Sequence, residues 1–175
     1  MHLLGHSTGA YVIRNAFTDA DEKTSIKNRP WTVSQIALIG GDISSRSLSD
    51  ADSKSKSLFR HCVRLTNYQN PYDSVLKLSD TKRIGLAPRV GRVGLPGDAP
   101  RKAVNVNCGP YFSGLDEHAL TQGVDYYGSF DHSWHIGDIT FATDLASTLA
   151  GDIDRHQIPT RRVLDGQLVL EPPAA

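Results

Sequence analysis

Gly5-His6-Ser7-Thr8-Gly9 carries the spacing G-x-S-x-G close to the start of a 175-residue chain. That spacing marks a nucleophile elbow, a sharp strand-to-helix turn that presents a serine hydroxyl for covalent catalysis. With ordinary glycine and serine usage the pentapeptide arises by chance about once in twenty chains of this length, so its surroundings must carry the rest. Residues 1–4 can form the end of a strand. Residues 8–17 (TGAYVIRNAF) place Ala10, Ile13, Ala16 and Phe17 at helical spacing, and strand followed by helix is the context the motif requires. Both flanking glycines are expected to relieve crowding at the strained turn.

A serine hydroxyl is a weak nucleophile until a histidine takes its proton, and that histidine needs a carboxylate to fix its tautomer. Ser7 therefore calls for an acid and a base on later loops. Asp73, in CVRLTNYQNPYDSVL, follows a strand pattern closed by the Asn70-Pro71 turn signal and is the first choice of acid. Asp42, just beyond the apolar run 35–39 (QIALI), is the alternative. Either aspartate could equally serve as an Asx-turn or helix-cap residue. For the base, the segment Phe130-Asp131-His132-Ser133-Trp134-His135 lies on a long loop ahead of the last helical pattern and offers His132 and His135. His61 falls on a strand pattern and His118 precedes the loop, while His2, His6 and His156 fit the base position less well. The backbone N–H of Thr8, the residue after the nucleophile, is the expected oxyanion donor.

Other chemistries find less support. His132 and His135 with Asp131 and Asp138 have a spacing that metal ligands can use, but no second ligand cluster accompanies them, so no metal or other cofactor is expected. The Gly-rich stretch 85–97 neither follows a clear strand nor opens a helix with Lys-Ser/Thr, as a phosphate cradle would. Cys62 and Cys108 sit singly in apolar surroundings, which suits free buried thiols, although a disulfide between them stays open. Lys and Arg number 19 and Asp and Glu 19, so no charge excess points to nucleic acid or an anionic membrane. No apolar run approaches the roughly 20 residues of a membrane span, and no signal peptide is visible, which makes the cytoplasm the default location.

The elements that must position these residues alternate along the chain. After the elbow helix, residues 19–30 are polar and read as a loop. The run 35–39 ends in Gly40-Gly41 as a buried parallel strand does, and residues 44–56 are rich in Ser, Asp and Lys, either a solvated helix or an insertion. Residues 62–68 form the next strand, 75–78 begin a short helix, and 84–100 are a Gly- and Pro-rich loop. Residues 103–106 make a short strand, and 138–149 a closing helix with Asp138 as N-cap. This alternation predicts an α/β fold with a mostly parallel sheet flanked by helices. Residues 1–151 make the domain, and residues 152–175 a C-terminal tail or edge hairpin.

The middle of the chain adds a resemblance. Arg64-Leu65-Thr66-Asn67-Tyr68, Tyr72-Asp73-Ser74-Val75-Leu76-Lys77-Leu78-Ser79 and Arg89-Val90-Gly91-Arg92-Val93-Gly94-Leu95 resemble a bacterial group of uncharacterised α/β-hydrolases, the DUF900 group. There a strand ends in an aspartate, a short Leu-Ser segment follows, then an R-x-G-x-x-G-L loop and a His-Ser-aromatic turn, which Asp131-His132-Ser133-Trp134 is similar to. The resemblance covers residues 1–151. It implies Ser7 as nucleophile, Asp73 as acid, His132 ahead of His135 as base, and esterase-like chemistry on a small ester or amide. It also implies strands before the elbow strand and a second oxyanion N–H from one of their loops. With so little chain before Ser7, the expectation is the C-terminal portion of such a fold, its first strands missing. The rival expectations are a non-catalytic remnant, held by a partner or by self-association, and a fragment completed by a separately encoded N-terminal half.

Overall fold

The computed structural model describes residues 1–82, 87–115 and 129–173. Among these, six strands form one sheet in the order β1-β2-β3-β4-β6-β5. The strands are β1 (His2–His6), β2 (Val33–Ile39), β3 (Cys62–Gln69), β4 (Ala103–Asn107), β5 (Arg161–Leu164) and β6 (Gln167–Leu170). All neighbours run parallel except the β5–β6 hairpin, which is antiparallel and joins the sheet through β6 beside β4. β1 is one edge and β5 the other. The expected mostly parallel α/β sheet is therefore present, and the C-terminal hairpin belongs to it.

Strand β2 shows why helices must cover both faces. Its side chains alternate between two apolar clusters, Ile36 and Leu38 in one, Ala37 and Ile39 in the other. Successive residues of a strand point to opposite faces, so a run apolar at every position is buried on both sides. The first face is covered by α1 (Gly9–Glu22) and α3 (Ser53–Arg60). α1 turns Ala10, Ile13 and Phe17 inward at helical spacing. On the second face lie Trp134 and Phe141, the latter from α8 (Ile139–Ala150), which Asp138 caps by accepting from Phe141 N at 2.7 Å.

α8 also buries a polar stripe. Asp144 accepts from Tyr68 Oη at 2.7 Å, from Thr160 Oγ1 at 2.7 Å and from two guanidinium nitrogens of Arg161. Both charged side chains are fully buried, and the bidentate geometry supplies the bonds a buried pair needs. This cluster fastens α8 to β3 on one side and to the C-terminal hairpin on the other.

Several expectations are corrected. Residues 19–30 are not a loop: α1 runs on to Glu22 and a further turn, α2 (Thr24–Lys27), follows. Most of its polar residues face solvent, which helices tolerate as well as loops do, while Asp21 turns inward to Arg60 and His61. Residues 44–56 hold a 3₁₀ turn (Ser45–Leu48) and the start of α3, and neither is a solvated excursion, since Ser45, Ser47, Leu48 and Ser55 are buried. Their hydroxyls are satisfied by carbonyls, as Ser45 Oγ is by Gly94 O at 2.7 Å. Within the loop expected at 84–100, Val90–Val93 forms one helical turn, α5, and a further turn, α6 (Gly109–Phe112), follows β4. Residues 84–86 of that stretch, and His118, lie outside the described residues. Cys62 and Cys108 are free and buried.

Candidate active site

The site lies at the carboxyl ends of β1, β2 and β3, the edge where parallel sheets place their loops and ligands. Ser7 follows β1 directly, with φ of +53°, one of two non-glycine residues with positive φ among those described. Such backbone is uncommon for a residue with a Cβ and persists only where surroundings impose it. Here the imposition is visible: Ser7 N donates to Ile39 O at 3.0 Å, and Ser7 O accepts from Asp42 N at 2.9 Å and from Ala10 N at 3.1 Å. The turn is thus pinned to the end of β2 and to the first turn of α1 at once.

The two glycines of the motif are not equivalent. A Cβ at Gly5 would lie 2.7 Å from Ile13 Cδ1 and 3.0 Å from the Gly9 carbonyl carbon, so α1 packs on β1 only because that side chain is missing. Beside Gly9 there is open space, and the expectation that both glycines relieve crowding holds for Gly5 alone.

Asp73 is buried at the residue before α4 (Ser74–Lys82) and divides its two oxygens. Oδ1 accepts from Leu76 N at 2.8 Å, which is a helix cap. Oδ2 accepts from His132 Nδ1 at 2.6 Å. One carboxylate thus both caps a helix and holds a histidine, two roles that the sequence set against each other. Because Nδ1–H is donated to Asp73, Nε2 of the neutral ring carries the lone pair, the tautomer a general base needs. Among the described residues no hydrogen bond joins Ser7 Oγ to His132; such bonds often close only when substrate is bound.

His132 sits on α7 (Phe130–Ser133), and α7 is lashed to the β3–α4 connection. Asn70 Nδ2 donates to Asp131 O at 2.8 Å and Ser74 N to Asp131 Oδ2 at 2.8 Å, while Asn70 Oδ1 accepts from Tyr72 N within its own turn. Burial pushes the Asp131 carboxyl up, but hydrogen bonds from Ser129 and Ser74 outweigh it and hold the group below its ordinary value. The Asn70-Pro71 turn was legible in the sequence; its hold on the histidine loop was not, because that contact spans residues 61 apart.

Asp42, the alternative acid, is drawn away. It pairs with Arg89 Nε at 3.1 Å, which joins the β2 loop to the turn before α5. There Gly91 comes so close to Gly40 and Gly41 that an added Cβ would stand 2.2 Å from their backbone. His135, the alternative base, is set among rings: its centroid is 4.8 Å from His6 and 5.3 Å from Phe141. Burial, with His6 and His132 adding repulsion, lowers its pKa to about 3. Thr8 is exposed at the start of α1, and its N–H makes no backbone hydrogen bond among the described residues.

Among the described residues no group of three or more His, Cys, Asp or Glu has the arrangement of a metal site. Asp138 is spent on its cap and on accepting from Tyr111 Oη at 2.8 Å. Cys108 lines the same small cleft as Asp73 and His132, but burial first, with the Asp144 carboxylate adding to it, drives its thiol well above the ordinary value, so it is no thiolate nucleophile. A roomier cleft of about 310 Å³ opens between β4 and the hairpin and contains neither Asp73 nor His132. No helix among the described residues is long and apolar enough to cross a membrane. Compared with protein-family models, with curated proteins and with solved structures, the chain matches none.

Proposed function

We propose that the protein is a serine hydrolase of the α/β-hydrolase type, acting on a small ester or amide through Ser7, His132 and Asp73. The observation that carries the reading is the 2.6 Å His132–Asp73 bond formed at the same sheet edge as a serine held at positive φ. Chain order supports it too: nucleophile, acid and base occur as Ser, Asp, His, each after a parallel strand.

In this mechanism Ser7 Oγ attacks the acyl carbon as His132 Nε2 takes its proton, and Asp73 steadies the imidazolium that results. The oxyanion accepts from Thr8 N–H. Collapse of the tetrahedral intermediate breaks the bond to the leaving group, which receives the proton from His132 and departs. Water, deprotonated by the same nitrogen, then attacks the acyl-enzyme and releases the acid, restoring Ser7. The second oxyanion donor would come from a strand-end loop on the outer side of β1. The outer edge of β1 has no strand partner among the described residues, and Leu4 upon it is 51% exposed, which supports a sheet that continues beyond β1. Losing one oxyanion donor costs about 10²–10³ in rate.

The test is a fluorophosphonate probe. Folded protein should acquire one covalent adduct, located at Ser7 by peptide mass spectrometry and absent in Ser7→Ala. If the folded wild type stays unmodified at millimolar probe over hours, the catalytic reading falls and the non-catalytic remnant takes its place.

A further inference from the structure

The segment that carries His132 is bound to the β3–α4 connection by hydrogen bonds to Asn70, Asp73 and Ser74, and it is bonded to the turn of Ser7 through one side chain. His6, the residue immediately before Ser7, directs Nε2 to the backbone oxygen of His132 at 3.1 Å. Its ring lies 4.6 Å from the ring of His132 and 4.8 Å from that of His135, centroid to centroid. Asn70, Asp73 and Ser74 fasten α7 to the β3 side of the site, whereas Ser7 is fastened to β2 and α1. β2 and β3 are paired along their length, but among the described residues it is the His6 bond that joins α7 directly to the elbow.

We propose that His6 is a positioning residue, a strut that sets the distance between the base on α7 and the nucleophile on the elbow. The assignment rests on the Ser7–His132–Asp73 reading. A backbone carbonyl only accepts, so Nε2 of His6 carries the hydrogen and the ring needs no positive charge to make the bond. Burial, the larger influence, lowers the His6 pKa, and the neighbouring His132 lowers it further although the backbone bond opposes both. A neutral ring suits the place: a cation 4.6 Å from His132 would oppose the imidazolium that forms when His132 takes the serine proton. The groups facing His6 are His132, His135 and, through charge, Asp73.

The chemistry of the strut is one N–H at the length of an imidazole Nε2. Glutamine presents an amide N–H at the same reach, asparagine one bond short, and leucine none. Two readouts separate the strut from the hydrolase reading: the rate of fluorophosphonate labelling, and hydrogen exchange of the α7 amides, which needs no catalysis. His6→Leu should slow labelling by roughly 10- to 100-fold, the effect of about an ångström of misplacement, and should speed exchange of the His132 and Ser133 amides. His6→Gln should recover most of both, with Ser7→Ala as the blank.

Equal loss in His6→Gln and His6→Leu, or wild-type rates and exchange in His6→Leu, overturns the strut. Wild type that never labels, with exchange still faster in His6→Leu than in His6→Gln, removes the hydrolase reading and leaves the strut in place. Should His6→Leu fail to fold, His6→Asn serves instead: behaviour like wild type overturns the strut, and loss restored by glutamine supports it.

Discussion

Two histidine–aspartate pairs stand at opposite ends of the sheet, and their difference locates the site better than either pair alone. At the carboxyl ends, His132 Nδ1 meets Asp73 at 2.6 Å; at the amino ends, His61 Nε2 meets Asp21 at 3.0 Å. Both histidines are largely buried. His61, however, has no nitrogen left over: Nδ1 is bonded to Trp31 O at 3.2 Å, and its ring lies flat on the Trp31 indole at 3.9 Å. His132 offers Nε2 towards a cleft beside a strained serine. A paired histidine is structural when both nitrogens are engaged and chemically useful when one is held and the other free.

The sharpest way to break this comparison is to remove both rings in turn. On the proposed function, His132→Gln is expected to lower the labelling or turnover rate by three orders of magnitude or more, approaching the roughly 10⁶ seen on removing a triad histidine, with little loss of stability. His61→Gln should leave the labelling rate within a few-fold and lower stability by about 1–3 kcal/mol, because the half-buried Asp21 carboxylate and Trp31 carbonyl lose a partner. Labelling rates and thermal melts on the same samples decide the matter. If His61→Gln abolished labelling while His132→Gln did not, the site would have to be moved to the other end of the sheet.

The carboxylates give a smaller version of the same contrast. Asp73→Asn retains an oxygen for the Leu76 N–H cap but offers His132 no anion, and loss of the equivalent charge in a triad costs about 10⁴ in rate. Asp21→Asn, beside Arg60 and His61, should leave the labelling rate unaltered. A residual rate in Asp73→Asn that exceeds the His132→Gln rate is expected, since the base itself survives. Equal rates for Asp73→Asn and wild type would assign the acid elsewhere, Asp42 being the next carboxylate to replace.

Which of these features the sequence discloses depends on how local their cause is. Strand β2 was legible because four consecutive apolar residues, Ile36 to Ile39, announce burial on both faces, and the Asp138 cap because it acts within four residues. Ser7 and Asp73 were proposed from chain order and from the element that precedes each, while order alone left His132 and His135 open and the resemblance set His132 first; the structure brings Asp73 and His132 into contact. The Asp144–Arg161 cluster went unseen, because nothing in DLAST or TRRV foretells that an acidic and a basic side chain will share one buried hole. The same holds for His61 and Asp21, 40 residues apart, and for His6, which the search for a base set aside and which makes its contact across 126 residues. Solvent exposure was misjudged at Ser45, Ser47 and Ser55 because a hydroxyl near a carbonyl can be buried at little cost.

The least of the expected effects is on stability against pH, and it distinguishes the two ends again. His135, beside the site, has its pKa lowered to about 3 from an ordinary 6.5, burial being the chief cause. The unfolded chain therefore binds a proton below 6.5 that the folded chain refuses, so stability falls as pH drops through that window, by at most about 1.4 kcal/mol per unit for one group. Burial lowers His6 in the same direction. At the other end, burial pushes the Asp21 carboxyl up, but bonds from Ser57 and His61 outweigh it and hold the group below 3.8, so its stabilising contribution is complete above 3.8 and is lost only below. Melting temperatures between pH 6.5 and 4.5 should accordingly fall less steeply in His135→Gln than in wild type, while Asp21→Asn keeps the wild-type slope. Superimposable wild-type and His135→Gln curves would show that the ring takes up its proton in the folded state. In that case a positive charge would stand near His132 in mild acid and would oppose a proton arriving on that ring, the step that the proposed function asks of it.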